Sequence, residues 1–190
     1  FKSLLFLVTG SVLHATRERS LGRLGGLMRS MPWVAWLGLV GTLAIAGLPP
    51  LNGFVSEWLL LQSFLFTPTI PQTFANMLIP VGAAVLALVV ALSAYVMVKF
   101  YGVIFLGQPR EPQLAQARDC GRFERIGLAW LAALCIALGL MPVWVLELLA
   151  PVTAMLAGAT VEQHGASVLW LAPTAPERAS YAPLLFLAGT

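Results

Sequence analysis

Residues 47–62 read GLPPLNGFVSEWLLLQ, and this stretch decides the fold. It sits inside an apolar run, residues 32–66, that would be about 52 Å long as one helix, against a bilayer core of about 30 Å. The stretch also holds two adjacent prolines, an asparagine, a glycine and a glutamate. Pro49 removes a backbone donor and pushes Leu48 away from helical geometry. Gly47 suits the end of a first half-helix, and Asn52 is placed to cap a second. We therefore expect a helix broken between Leu48 and Gly53, with Pro49, Pro50, Asn52 and Gly53 making the break. Unpaired backbone at membrane depth is tolerated only inside protein or beside a watery cavity, and in transporters such breaks mark ion or substrate sites. A proline kink that only shapes packing is the simpler account. Glu57 weighs against it. It lies about 8 Å past Asn52 along the axis, and a charge at that depth costs roughly 2.5–3.5 kcal/mol on insertion scales.

Composition agrees with a membrane setting. The chain has 190 residues, 59% hydrophobic and 10% charged, with a mean hydropathy of +0.87. Soluble domains carry about 25% charged residues, so this chain reads as an all-α, polytopic membrane helix bundle. It opens and closes inside apolar segments, which fits a portion of a longer chain. The net charge of +3 does not argue for a nucleic-acid partner, because the arginines sit in short clusters between apolar runs. Cys120 and Cys135 fall at different depths and suggest no disulfide.

Counting about 20 apolar residues per crossing gives about four transmembrane helices, at residues 1–15, 32–66, 75–106 and 126–148. A truncated further one begins at 184–190. Eight of the nine arginines fall in two alternate loops: Arg17, Arg19, Arg23 and Arg29 in one, Arg110, Arg118, Arg122 and Arg125 in the other. The positive-inside rule then places loops 16–31 and 107–125 in the cytoplasm and loops 67–74 and 149–183 in the periplasm. Trp33, Trp36 and Phe105 read as interfacial anchors.

The two lysines behave differently from the arginines. Lys2 and Lys99 both lie within apolar runs. Buried lysine gives up its proton readily, whereas arginine keeps its charge, so lysine and glutamate are the types a proton relay needs. The bland accounts are a helix-end lysine for Lys2 and snorkelling toward the cytoplasm for Lys99, with Tyr95 four residues earlier on the same face. His14, at the end of the first span, is an interfacial histidine or a group that takes up protons. His164 reads as incidental. Phosphate-binding loops, metal-ligand spacings and nucleophile elbows are absent from the sequence, and no cofactor is expected.

The runs FKSLLFL…GSVLHAT, LGGLMRSMPW and GLPPLNGFVSEWLLLQ resemble the antiporter-like proton-translocating subunits shared by respiratory complex I, multisubunit Na+/H+ antiporters and membrane-bound nickel–iron hydrogenases. Within that family they look most like the hydrogenase-4 and formate hydrogenlyase branch. The resemblance covers residues 1–107 well. It implies the later part of the second of two inverted repeats, with residues 32–66 as its broken helix. It also implies that Lys2 matches the family's central lysine, Glu57 the terminal proton site and His14 a histidine after that lysine. It implies other membrane subunits and a peripheral hydrogenase or dehydrogenase arm as partners, in a bacterial inner membrane. The expected function is proton translocation driven by redox chemistry elsewhere, through a Lys2–Glu57 relay, in a subunit with no catalytic centre of its own. The alternatives are a Na+/H+ antiporter subunit and a membrane scaffold anchoring a peripheral enzyme.

Overall fold

The computed structural model describes residues 1–65 and 73–157. Their helices are α1 (Lys2–Thr16), α2 (Pro32–Ile45), α3 (Asn52–Leu65), α4 (Thr73–Phe105), α5 (Arg122–Leu140) and α6 (Pro142–Ala157), with a 3₁₀ turn at Pro112–Gln116. The all-α expectation holds. Residues 66–72, most of the expected outer loop, and residues 158–190, with His164 and the segment 184–190, lie outside the described residues.

Local chemistry sets the helix ends. Arg17 adopts the left-handed conformation, φ 54°, and its N–H bonds the Leu13 carbonyl to close α1. Proline opens α2 and α6, where its missing N–H costs nothing. α2 stops at a Schellman turn: Gly47 N–H donates to Ala44 O at 3.3 Å and Leu48 N–H to Leu43 O at 3.1 Å, with Gly47 at φ +69°. Only glycine accepts that backbone cheaply. The break therefore runs over residues 46–51, starting two residues before the expected Leu48, and Asn52 and Gly53 belong to the first turn of α3. Asn52 is not a cap: its Oδ1 is buried without a hydrogen-bond partner.

The expected single helix over 126–148 is two helices. Pro142 has no N–H to continue α5, so that helix closes at Leu140 with Met141 N–H on Ala137 O. α6 then continues to Ala157, where a loop from 149 was expected.

α2 lies between α1, α4 and α5, and α4 packs on both α2 and α3. One long helix thus runs alongside both halves of the interrupted one. Leu4 and Val8 of α1, Val34 of α2, Phe105 of α4 and Leu128 of α5 are fully buried, with Leu27 and Met31 from the loop. Phe105 is therefore a core residue rather than an interfacial anchor, with Tyr101 at a ring separation of 5.0 Å. Gly139 of α5 lies against the break, where a side chain would run into the Pro50 carbonyl. Outside, the bundle is greasy. The most apolar 18-residue stretches of Asn76–Phe105 and Arg122–Leu140 have mean hydropathies of 2.5 and 1.7. None of the most apolar stretch of the first is buried, and lipid or neighbouring helices are the solvents such a surface suits.

The two arginine-bearing loops meet at one end of the bundle. Gly26, Leu27 and Met28 donate their N–H groups to Leu106 O, Ile104 O and Phe105 O at 3.0, 3.3 and 3.0 Å, capping the last carbonyls of α4. Arg110 donates to Gly22 O at 2.7 Å, Arg23 faces Glu18 and Glu111 at 3.4 and 3.8 Å, and Trp33 N–H bonds Asp119 Oδ2 at 3.0 Å.

Glu18 supplies a test of this end. Its Oε1 accepts the N–H groups of Ser20 and Arg19 at 2.8 and 2.9 Å. Those bonds, the Ser20 one foremost, hold its carboxyl below the usual carboxylate range. A depressed value stabilises the folded loop above the unfolded-state value, and the effect is lost as pH falls through the folded one. Hydrogen exchange at the Arg19 and Ser20 amides, corrected for intrinsic rate, should stay protected until the pH drops below the ordinary carboxylate range. Loss of protection already within that range contradicts this.

Candidate functional site

Glu57 projects from the second turn of α3 back toward the end of α2. A methyl group placed on Gly47 would run into Glu57 Oε2, so the carboxyl rests on the turn that ends α2. The glycine therefore does two things: it takes the left-handed backbone and leaves room for the acid. Glu57 is half-buried and, among the described residues, makes no ion pair within 4 Å. It opens on a cavity of about 260 Å³ lined by Gly47, Phe54, Trp58 and, from α4, Leu86, Ala87 and Val90. Those α4 residues lie near the middle of Thr73–Phe105, so if α4 crosses the bilayer the carboxyl sits near its midplane. The cavity wall is mostly apolar, but Trp58 Nε1 nearby is buried with no hydrogen-bond partner.

Lys2 lines a second cavity, about 240 Å³, with Leu5, Phe6, Thr9, Ile45, Met97 and Phe100. Its side chain is exposed along the uncovered face of α1. The two cavities flank the end of α2, one touching Ile45 and the other Gly47. Along α4 they are about 10 Å apart, from Val90 to Met97.

One polar side chain stands between them. Ser93 Oγ donates to Val90 O at 2.9 Å and lies 3.3 Å from Ile45 O. Residues 86, 90, 93, 97 and 100 recur at spacings of four and three, so they form one stripe of α4. This stripe faces both cavities. Sequence reading missed Ser93, because a lone serine in an apolar helix gives no periodic signal; its spacing from the cavity-lining residues emerges only once α4 is docked.

The remaining candidates are placed elsewhere. His14 is exposed near the end of α1 and lines a third, more polar cavity at the arginine-bearing end, about 440 Å³, with Ser11, Asp119, Cys120 and Glu124. Lys99, with Tyr95, is exposed on a different side of α4 from the Ser93 stripe, and the structure does not bring it to Glu57 or Lys2. Pro49 and Pro50, joined by a cis peptide bond, form the bend between Leu48 and Leu51, whose N–H bonds Leu48 O at 3.0 Å. Gly53 is buried where a side chain would meet the Ala44 carbonyl. No group of three or more metal-binding side chains occurs among the described residues.

Comparison with known proteins adds to this geometry. Residues 1–70 match the family described as NADH:quinone oxidoreductase/Mrp antiporter, TM. Formate hydrogenlyase subunit 3 of Escherichia coli (strain K12) is 38% identical over 175 residues, which is 90% of this chain and 29% of that protein. Hydrogenase-4 component B of the same organism is 34% identical over 144 residues, 76% of this chain and 21% of that protein. The chain thus spans less than a third of the length of these relatives. A chain of the membrane-bound sulfane sulfur reductase, an archaeal respiratory membrane complex, shares the fold with a TM-score of 0.78 at 23% identity. That match covers 99% of this chain and 28% of the other.

Proposed function

Because the chain belongs, over residues 1–70, to the NADH:quinone oxidoreductase/Mrp antiporter transmembrane family, we propose that it is part of a proton-translocating subunit driven by a redox complex of the hydrogenase or complex I type. In this reading α1, the interrupted α2–α3, α4 and α5 cross a bacterial inner membrane as the later part of an inverted repeat. The arginine-bearing end faces the cytoplasm. Other membrane subunits and a peripheral hydrogenase or dehydrogenase arm supply the driving reaction.

The observation that carries the reading is the carboxyl of Glu57 seated on the broken backbone at Gly47, with the Lys2 cavity on the other side of the same helix end. Lys2 receives a proton from the cytoplasmic side. It passes the proton through water ordered at Ser93 and the Ile45 carbonyl to Glu57, and Glu57 releases it outward. Lysine and carboxylic acid are side chains that can each load and unload a proton. Each carrier needs the other's charge to change, which is how the field of a neighbouring subunit would drive the step.

The test compares wild type with Lys2→Met and Ser93→Ala in vesicles holding the full parent complex. Lys2→Met should remove redox-linked proton movement. Ser93→Ala should slow it several-fold while assembly is kept. Unchanged proton movement in Lys2→Met overturns the relay. A second reading is favoured by the family's inclusion of the Mrp antiporters: Glu57 with backbone carbonyls of the break would bind Na+, a hard cation suited to oxygen ligands. Transport that requires sodium, and stops without it, selects that reading.

A further inference from the structure

The third cavity, at the arginine-bearing end, contains two carboxylates in different circumstances. Asp119 is committed to backbone: its Oδ2 accepts from Trp33 N–H at 3.0 Å and its Oδ1 from Cys120 N–H at 2.8 Å. It serves to fasten the start of α2 to the segment before α5. Glu124 has no such task. Its one hydrogen-bond partner among the described residues is the hydroxyl of Ser11, across the cavity on α1.

Ser11 carries a single hydroxyl hydrogen, and its Oγ is within bonding reach of two acceptors. One is Glu124 Oε1. The other is the carbonyl of Leu7, one turn back on α1, at 2.9 Å. With Glu124 ionised, the one hydrogen is divided between the carboxylate and the carbonyl, as in a three-centre bond. With Glu124 protonated, its own O–H donates to Ser11 Oγ, and the serine hydrogen is free for Leu7. Each contact has a hydrogen of its own only when the carboxyl holds a proton. An acid in the first turn of a helix is ordinarily explained by the helix dipole, which favours the charged form. That explanation accounts for a glutamate at this position but not for the divided hydroxyl it meets.

From this geometry we infer that Glu124, bridged to Ser11 and sharing its cavity with His14, is the group that takes up and holds protons from the arginine-bearing side. The inference rests on the proton-translocation reading above. The groups facing the site are His14 from α1, and Arg118, Asp119 and Cys120 from the segment before α5. The neighbouring Arg125 also faces it: its guanidinium lies 4.5 Å over the Trp33 ring and its side chain hydrogen-bonds Cys120. The Cys120 thiol is pushed up by burial first and then by the Asp119 charge, so it stays a thiol and does not compete as a base. His14 and Glu124 remain as the pair at the mouth of the cavity. Lys2 lies nine residues from Ser11 and so on the opposite side of α1. The site is thus a proton store at the surface, exchanging with water, and not the next link in a row of side chains leading to Lys2. Glu124 acts on the proton directly; Ser11 positions it.

The test uses the complete redox complex in sealed phospholipid vesicles, reading protons moved per redox turnover across a range of pH on the arginine-bearing side. Glu124→Gln keeps an amide that can donate to Ser11 but cannot exchange a proton. It should lower proton movement at least about tenfold at the alkaline end, where protons are scarce, and less at the acidic end. This sits below the roughly 10²–10⁴-fold that positioned proton-transfer groups contribute in catalysis, because water replaces part of an exposed group's role. Glu124→Asp should recover part of the rate with a displaced pH profile, and Ser11→Ala should displace the profile with smaller loss. Glu57→Gln is the control. If Glu57→Gln blocks proton movement and Glu124→Gln leaves both rate and profile at wild type, the inference falls and the relay stands. If Glu57→Gln also behaves as wild type, the translocation reading falls and takes the inference with it. If Glu124→Gln changes the sodium response and not proton movement, the site binds a cation and the inference is overturned. Should Glu124→Gln not assemble, an unchanged pH profile in Glu124→Asp overturns it, and a displaced one sustains it.

Discussion

Glu57→Gln should abolish redox-linked proton movement, by about two orders of magnitude or more, while the complex assembles and turns over electrons. The size follows from the role: a positioned proton-transfer group contributes roughly 10²–10⁴-fold, and a group on the path with no described carboxyl beside it has no understudy. Glutamine has nearly the same shape, so contact with Gly47 is kept. It also removes a charge whose insertion costs roughly 2.5–3.5 kcal/mol at the bilayer centre, so insertion should be no worse than in wild type. Loss of pumping therefore cannot be charged to misfolding if subunit stoichiometry is unchanged. Vesicles showing full proton movement at full assembly would mean that the break is a packing device and that Glu57 is a bystander.

The second large effect is structural. Gly47→Ala should destabilise the complex by roughly 2–4 kcal/mol, toward the upper end of what single substitutions cost. Two costs add. An L-residue at φ +69° costs about 1–2 kcal/mol. The new methyl also lands on the Glu57 carboxyl, which must swing away from the end of α2. The matched control is Gly10→Ala in α1, where an added methyl meets nothing within 4 Å. That change should be neutral or stabilise by up to about 1 kcal/mol, as glycine is a poor helix residue. Heat inactivation of the two variants in the same complex separates them. Gly47→Ala should lose several degrees and should impair proton movement beyond what assembly loss explains. Equal behaviour of the two variants would show that the turn at Gly47 is unimportant.

Much of this was readable in the sequence because the cues were local. Two prolines after a glycine announce an interruption in any helix, and arginines clustered in alternate loops announce two ends. Glu57 is conspicuous in the sequence because an ionisable group inside an apolar run is unusual. The failures have local causes too. Pro142 ends one helix and opens another, but in an unbroken apolar run a single proline is also compatible with a kink. Asn52 had the right chemistry to cap α3, yet the Schellman turn and the Pro49–Pro50 bend carry the chain into the helix one residue early, and its side-chain oxygen is left buried. Ser93 and Glu124 could not have been singled out by spacing. Ser93 looks like any small polar residue in an apolar helix until Ile45 is set against it, and the partner of Glu124 is 113 residues away in the chain.

The amides of Gly26, Leu27 and Met28 have a bearing on the order of synthesis. Their acceptors are the carbonyls at the far end of α4, so when the α1–α2 hairpin leaves the ribosome these acceptors have not yet been made. These bonds form only after all of α4 has been translated. The α1–α2 hairpin thus has a finished pair of helices and an unfinished loop for as long as the next segment takes to emerge. A nascent chain released before Leu106 should leave this loop open to protease, and one released just after it should not.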